Sequence, residues 1–282
     1  MAAPARKEAG PLEDISRLSL NQMTTDQWDL REAVEGCVRA GIPYIGLWRH
    51  KVAQIGLKES ARIVKEAGLK VSSLCRGGMF PAATEGELKE RIDDNRRAID
   101  EAAELGTDTL VLVCGPAAGK DLEKARLQVA RGIEAVAPYA EERGIKLGIE
   151  PLHPMFAADR SVIVTLGQAV RMAEAIGAPN VGVIVDVYHV WWDPDLYEAI
   201  ERARGRIFGY HVNDWVIPLP HPVLHGRGMM GDGVIELRKI RQAVEDAGYR
   251  GPIEVEIFNE RLWHMPGDDV LTLMKQRYLE TV

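Results

Sequence analysis

Short apolar runs alternate along this chain with longer stretches in which apolar residues return every three or four positions. The runs occur in AGIPYIGLW from Ala40, AGLKVSSLC from Ala67, LGTDTLVLVC from Leu105, RGIKLGIE from Arg143, IGAPNVGVIVD from Ile176, RGRIFGYH from Arg204 and AGYRGPIEVEIF from Ala247. Each is short, apolar and rich in β-branched residues, as parallel strands buried on both faces are. The stretches between them carry a 3.6-residue period; in GELKERIDDNRRAIDEAAEL the residues Leu88, Ile92, Ile99 and Ala103 fall on one face. This pattern predicts helices at 26–40, 57–67, 84–105, 120–143, 162–176, 195–204, 235–247 and 268–280. A glycine (Gly41, Gly68, Gly106, Gly144, Gly177, Gly205 or Gly248) follows seven of the helical stretches, where a left-handed residue closes the last turn.

With an opening strand at Leu18–Asn21, the count is eight strand-then-helix units. That is the arithmetic of a (β/α)8 TIM barrel, one domain over residues 15–282. An open doubly wound sheet is the alternative, but SLNQMTT after the first strand lacks its glycine-rich fingerprint. Residues 1–14 read as a mobile N-terminal tail.

Composition narrows the class. The 282 residues carry a formal charge of -7, which argues against a nucleic-acid partner. No apolar run approaches the ~20 residues of a membrane span, and the first residues lack the apolar stretch of a secretory signal. Cys37, Cys75 and Cys114 are odd in number and far apart, as reduced thiols of a cytoplasmic protein would be.

In a barrel of this kind the active site lies at the C-terminal ends of the strands. The residues there are Asn21, then Trp48-Arg49-His50, Cys75-Arg76, Cys114-Gly115, Glu150, Asp186, His211 and Glu256. Taken singly, Glu150, Asp186, His211 and Glu256 read as readily as helix caps or salt-bridge partners. Four in succession favour a metal site, because three carboxylates on one rim repel unless a cation neutralises them. Three oxygens and one imidazole suit one divalent ion, Mn²⁺ first, with Mg²⁺ or Co²⁺ as alternatives.

Glu150 in GIEPLHP, Asp186 with His189 in DVYH, His211 in YHVND and Glu256 in IEVEI resemble the xylose-isomerase-like barrel superfamily. Within it they resemble the sugar phosphate isomerase/epimerase family, with its ketose 3-epimerases and inosose dehydratases. GRGMMGDGVIEL, from Gly226, resembles the stretch that follows the seventh strand there. The resemblance implies that Glu150, Asp186, His211 and Glu256 hold the metal, and that His189 and Arg227 bind substrate oxygens. It implies further that Glu150 and Glu256 move a proton on opposite sides of a carbon next to a carbonyl. A cation gripping the carbonyl stabilises the enediolate, and a carboxylate takes the proton. Return of the proton on the other face gives isomerisation or epimerisation of a keto-sugar. Loss of a β-substituent makes the protein a lyase acting on a 3-keto-glycoside, keto-sugar or inosose.

Other positions carry two readings each. His153 is a further acid/base or a loop histidine bonded to a neighbour. Arg49, His50 and Arg76 bind an anionic or keto-acidic substrate or pair with rim carboxylates. Trp48, Phe80, Trp191, Trp192 and Trp215 stack on substrate or pack a lid. Gly226, Gly228, Gly231 and Gly233 beside Arg227 cradle a phosphate or form a flexible substrate loop. Cys75 and Cys114 stand near the rim without an evident base. Glu254 points into the barrel, with Lys146 or an arginine as its expected partner. An apurinic-site endonuclease shares this barrel, but Cys75-Arg76 and Arg227-Gly228-Met229 stand where it requires metal-ligating residues. A non-catalytic binding module is the remaining alternative. The expected partner is a small carbohydrate, with no membrane and no nucleic acid; a homo-oligomer stays open.

Overall fold

The computed structural model describes residues 9–282. Most of the tail expected at 1–14 lies outside the described residues. Of the remainder, Leu12 packs against the core beside Ile15, and Gly10 accepts a hydrogen bond from Arg241.

The strands are β1 Leu18–Asn21, β2 Tyr44–Trp48, β3 Lys70–Gly78, β4 Thr109–Val113, β5 Lys146–Glu150, β6 Val181–Asp186, β7 Ile207–Val212, β8 Asp214–Trp215, β9 Arg227–Gly228 and β10 Ile253–Val255. All but β8 and β9 are parallel and close into a single eight-stranded ring in the order β1-β10-β7-β6-β5-β4-β3-β2. Strands β8 and β9 form a separate antiparallel ribbon beyond the end of β7. The helices are α1 Leu30–Ala40, α2 Arg49–Ile55, α3 Leu57–Glu66, α4 Glu85–Leu105, α5 Leu122–Glu142, α6 Leu166–Ile176, α7 Val187–Val190, α8 Leu196–Arg202, α9 Leu237–Asp246, α10 Glu260–Trp263 and α11 Gly267–Thr281. The chain is thus the (β/α)8 barrel its periodicity predicts, in one domain.

The seven helix-closing glycines all have positive φ, between 69° and 96°. At the other ends, Asp29, Thr84, Asp121 and Thr165 cap α1, α4, α5 and α6 through side-chain oxygens. Sheet and helices meet in one continuous apolar layer that includes Leu20, Ile45, Leu74, Leu112, Ile149 and Val185. Glycine makes room inside the sheet. A Cβ at Gly148 or Gly209 would lie 2.4 or 2.8 Å from the Ile184 side chain, which enters between them.

Several boundaries differ from the sequence reading by a few residues, such as α1, which starts at Leu30, and two of the differences bear on the site. Arg49 and His50 do not extend the end of β2; they open the short helix α2, held by Lys51 reaching the Asp26 and Trp28 carbonyls. Strand β3 does not stop at Arg76 but continues to Gly78. There the buried Asn95 side chain of α4 bonds both the amide and the carbonyl of Gly78, replacing a strand neighbour.

Candidate active site

Parallel strands in register bring their last residues to one level. Asp186 pairs with His211 across β6 and β7, and Glu150 pairs with Val113 across β5 and β4. Glu256, just past β10, is tied in by its amide donating to Val212. Ligand atoms of Glu150, Asp186, His211 and Glu256 lie within 4.8 Å of one another, and all four residues are at most 4% exposed. His211 Nδ1 stands 3.2 Å from Glu150 Oε1 and 3.4 Å from Glu256 Oε2, close but without hydrogen-bond geometry to Glu150.

Two of the three carboxylates are fixed from behind. Asp186 Oδ1 accepts from the Tyr188 amide at 2.9 Å and from Asn213 at 3.0 Å. The helix-cap reading therefore holds for one oxygen of Asp186, while its other oxygen, Oδ2, has no hydrogen bond. Glu256 accepts from Asn21 at 3.3 Å and from Arg227 at 2.8 Å. Glu150 Oε1 and both ring nitrogens of His211 are buried with no hydrogen-bond partner. Buried polar atoms without partners are costly. Here they converge on one point, and their chemistry, carboxylate oxygen plus imidazole, fits a divalent cation. Asn21, Asn213 and Arg227 are the outer groups that orient such ligands.

The electrostatics reflect the crowding. Burial, aided by Glu256 and Asp186 and opposed by His211, raises the Glu150 carboxyl to about 7. Burial also works to raise Glu256, but Arg227 and His211 outweigh it and hold this carboxyl low. Burial works to lower His211; Glu254 with the adjacent Glu150 and Glu256 overrides it and holds the ring well above its ordinary value.

Arg227 lies on β9, its guanidinium between the rings of Tyr188 and Phe258 at 5.1 and 5.0 Å. Its Nη1 is 2.8 Å from both Asp186 Oδ2 and Glu256 Oε2. Its Nη2 stands 3.0 Å from His189 Nε2. Burial drives His189 down to about 3, so its ring is neutral. The amide of His153 donates to His189 Nδ1 at 3.1 Å. The His153 ring packs against Trp192 and Trp215, 5.4 and 5.0 Å away, and its Nδ1 accepts from the Met155 amide.

A cavity of about 150 Å³ opens onto Glu150, Glu256, His189 and Arg227. Trp48, Phe156 and Phe258 wall it, and Arg76 and Arg160 line it. A second cleft of about 380 Å³ shares Trp48 and Arg76 with it and contains Arg49 and His50. Arg49 spends its guanidinium on Asp94 and Glu101 of α4. Trp191 packs on Trp215, away from the cavity lining.

Several readings are corrected by the packing. The glycine loop is neither a phosphate cradle nor loose: the amides of Gly231 and Gly233, with those of Trp215 and Ile235, donate to the buried carboxylate of Asp214. Phe80 is not at the rim but fully buried, facing Gly132, where a Cβ would lie 2.2 Å from its ring. Glu254 pairs with neither Lys146 nor an arginine; it accepts from Asn21, Ser72 and Ser73, and Lys146 binds Asp108. Burial drives the Cys75 and Cys114 thiols up, away from nucleophilic use. The sequence reading passed over Asn213, Asp214, Phe258 and Arg160 as site residues. Asn213 and Asp214 carried the strand-end signal; Arg160 stands in a loop without periodicity.

The chain is similar in fold and sequence to known proteins. The solved protein SMc04130 of Sinorhizobium meliloti 1021 superposes with a TM-score of 0.91 at 49% identity, covering 94% of this chain and 98% of that one. The IOLI protein, solved with a bound zinc atom, gives a TM-score of 0.80 at 21% identity over 93% of this chain and 96% of its own. Inosose isomerase of Bacillus velezensis is 23% identical over 270 residues, 92% of this chain and 95% of its own. The 3-dehydroshikimate dehydratase of Pseudomonas aeruginosa is 28% identical over 238 residues, 82% of this chain but 36% of that longer protein. Residues 34–277 match the family described as xylose isomerase-like TIM barrel, to which this chain therefore belongs.

Proposed function

We propose that this chain is a divalent-metal-dependent enzyme that enolises a keto-sugar or a sugar-like keto compound, as an isomerase or epimerase. The observation that carries the reading is the set of buried atoms without hydrogen bonds on Glu150, Asp186 and His211, converging with Glu256. Those four residues would hold Mn²⁺, Mg²⁺ or Co²⁺; zinc joins the candidates because the similar IOLI structure binds it. Bound there, the cation supplies Lewis-acid polarisation of a carbonyl beside the acidic C–H.

The chain's own groups do the rest. Glu150 and Glu256 reach the cavity from β5 and β10, with β6 and β7 between them in the ring. One carboxylate therefore removes a proton from one side of the substrate carbon, and the other returns it from the other side. Arg227 and neutral His189 present hydrogen-bonding groups to substrate oxygens. Trp48, Phe156 and Phe258 exclude water. The His153 ring is turned among tryptophans, and its amide fixes His189; in this reading it positions His189. Where a leaving group sits β to the enolised carbon, the same groups perform elimination. The similarity to a 3-dehydroshikimate dehydratase favours keeping this lyase reading as the alternative.

The test is incubation in D₂O with ketoses, ketose phosphates, inososes and 3-keto-glycosides, with and without chelator. Metal-dependent deuterium gain with an unchanged skeleton is the expected result; loss of water or of an aglycone makes the enzyme a lyase. Glu150→Gln and Glu256→Gln each abolish turnover while the circular dichroism stays native. Near-normal turnover in either variant removes that residue from the mechanism.

A further inference from the structure

We propose that the substrate carries an anionic oxyacid group, a carboxylate or a phosphate, held by Arg76 and Arg160 beside the reacting carbon; the proposal rests on the enolisation reading above. Arginines near the site are otherwise satisfied. Arg49 is held by Asp94 and Glu101, and Arg227 by Asp186 and Glu256. Arg76 differs: its backbone carbonyl receives Arg49, but its guanidinium has no hydrogen bond or ion pair among the described residues. Arg160 comes no closer to a carboxylate than 3.8 Å, from its Nε to Asp159, whose side chain is 64% exposed. That Nε is buried without a hydrogen bond. The guanidinium lies over Phe156, 5.9 Å from the ring centre, and both residues line the cavity that holds Glu150 and Glu256.

Partly buried cations without counter-charges are costly, and such groups gather where a ligand supplies the missing charge. Burial, with the nearby Arg76 and Arg227 charges and against the opposing Asp159, holds the Arg160 guanidinium below its ordinary value. Charge balance points the same way. With a divalent cation bound and His211 its neutral ligand, Arg227 and that cation together balance the three carboxylates of the cluster. Arg76 is then left without a counter-charge and Arg160, 39% exposed at its side chain, with only the exposed Asp159 at 3.8 Å, and both face the same space. Two guanidinium forks match the oxygens of a carboxylate or a phosphate monoester. A neutral polyol would leave both cations unpaired. Arg76 also borders the second cleft, so a group extending beyond the reacting carbon has room there.

The test uses matched pairs: a ketopentose 5-phosphate against the free ketopentose, and a cyclic keto acid against an inosose. The metal-loaded protein is titrated calorimetrically with all four compounds, and kcat/KM is measured in parallel. The anionic member of at least one pair is expected to bind about 100-fold more tightly than its neutral partner, about 10-fold for each charge-assisted arginine contact. Arg76→Gln and Arg160→Gln each shrink that preference about 10-fold, with melting temperatures showing that both variants fold. The pair that shows the preference tells phosphate from carboxylate. Equal affinity within both pairs, or a preference untouched by both substitutions, overturns the proposal. An anion preference without deuterium exchange in any compound sinks the enolisation reading and leaves the anion site standing; exchange of neutral ketoses without a preference does the reverse.

Discussion

Glu150 shows at the scale of a single side chain what this site costs the fold. Without a metal, burial and two neighbouring carboxylates raise its carboxyl from 4.5 to about 7. The folded chain thus binds that proton more tightly than the unfolded chain, and stability falls as pH climbs from about 4.5 through about 7. Glu150→Gln, an isostere of the protonated form, should therefore stabilise the chelator-treated protein at pH 8 by on the order of 1–3 kcal/mol, with little gain at pH 4. Melts of both proteins at the two pH values test this; equal melting at pH 8 removes the strain from Glu150. The residue itself was legible because it closes the apolar run LGIE. The partners of Glu254 were not, because they come from β1 and β3: Asn21, Ser72 and Ser73. The space it occupies exists because β2 carries Gly46, where a Cβ would lie 2.1 Å from its carboxylate.

Among the elements, β3 and the β8–β9 ribbon aim the cationic side chains. Periodicity placed β3 correctly but ended it too soon, because its last residues are held by the Asn95 side chain instead of by a longer apolar run. Asn95→Ala would strand a buried amide and a buried carbonyl of Gly78, at about 1–3 kcal/mol each. We expect a clear fall in melting temperature together with a raised KM, since Arg76 sits two residues before Gly78 on this strand. A variant that melts lower with an unchanged KM would show that β3 keeps its course without Asn95. The ribbon follows the same logic. A glycine-rich stretch in sequence suggests a loop open to ligand, yet four of its surrounding amides converge on Asp214, and that anchoring places Arg227 over the cluster. An amide cradle and an amide-bound carboxylate look alike until the partner is known.

For the whole molecule, the closed ring would make a bound metal a structural as well as a chemical partner. Its four proposed ligands come from four adjacent strands of the ring, β5, β6, β7 and β10. A cation at about 100 times its Kd adds about 2.7 kcal/mol to folding. Chelation should then lower the melting temperature by roughly 5–10 °C, restored by re-adding the ion. A melting curve indifferent to chelator and to added Mn²⁺, Mg²⁺, Co²⁺ and Zn²⁺ would remove the metal from this site. The barrel, its eight units, the helix-closing glycines and the four convergent strand-end side chains could all be read from residue order alone. Strand period, helix period and strand-end polarity are local properties of a chain, and a parallel barrel turns each strand end into a site position. The pairing of Arg49 with α4, the neutral cage of Glu254, the burial of Phe80 against α5 and the meeting of Arg76 and Arg160 at one cavity were settled by closure of the ring. Each depends on which side chains meet across strands and helices far apart in sequence, and on which charges find a partner when they do.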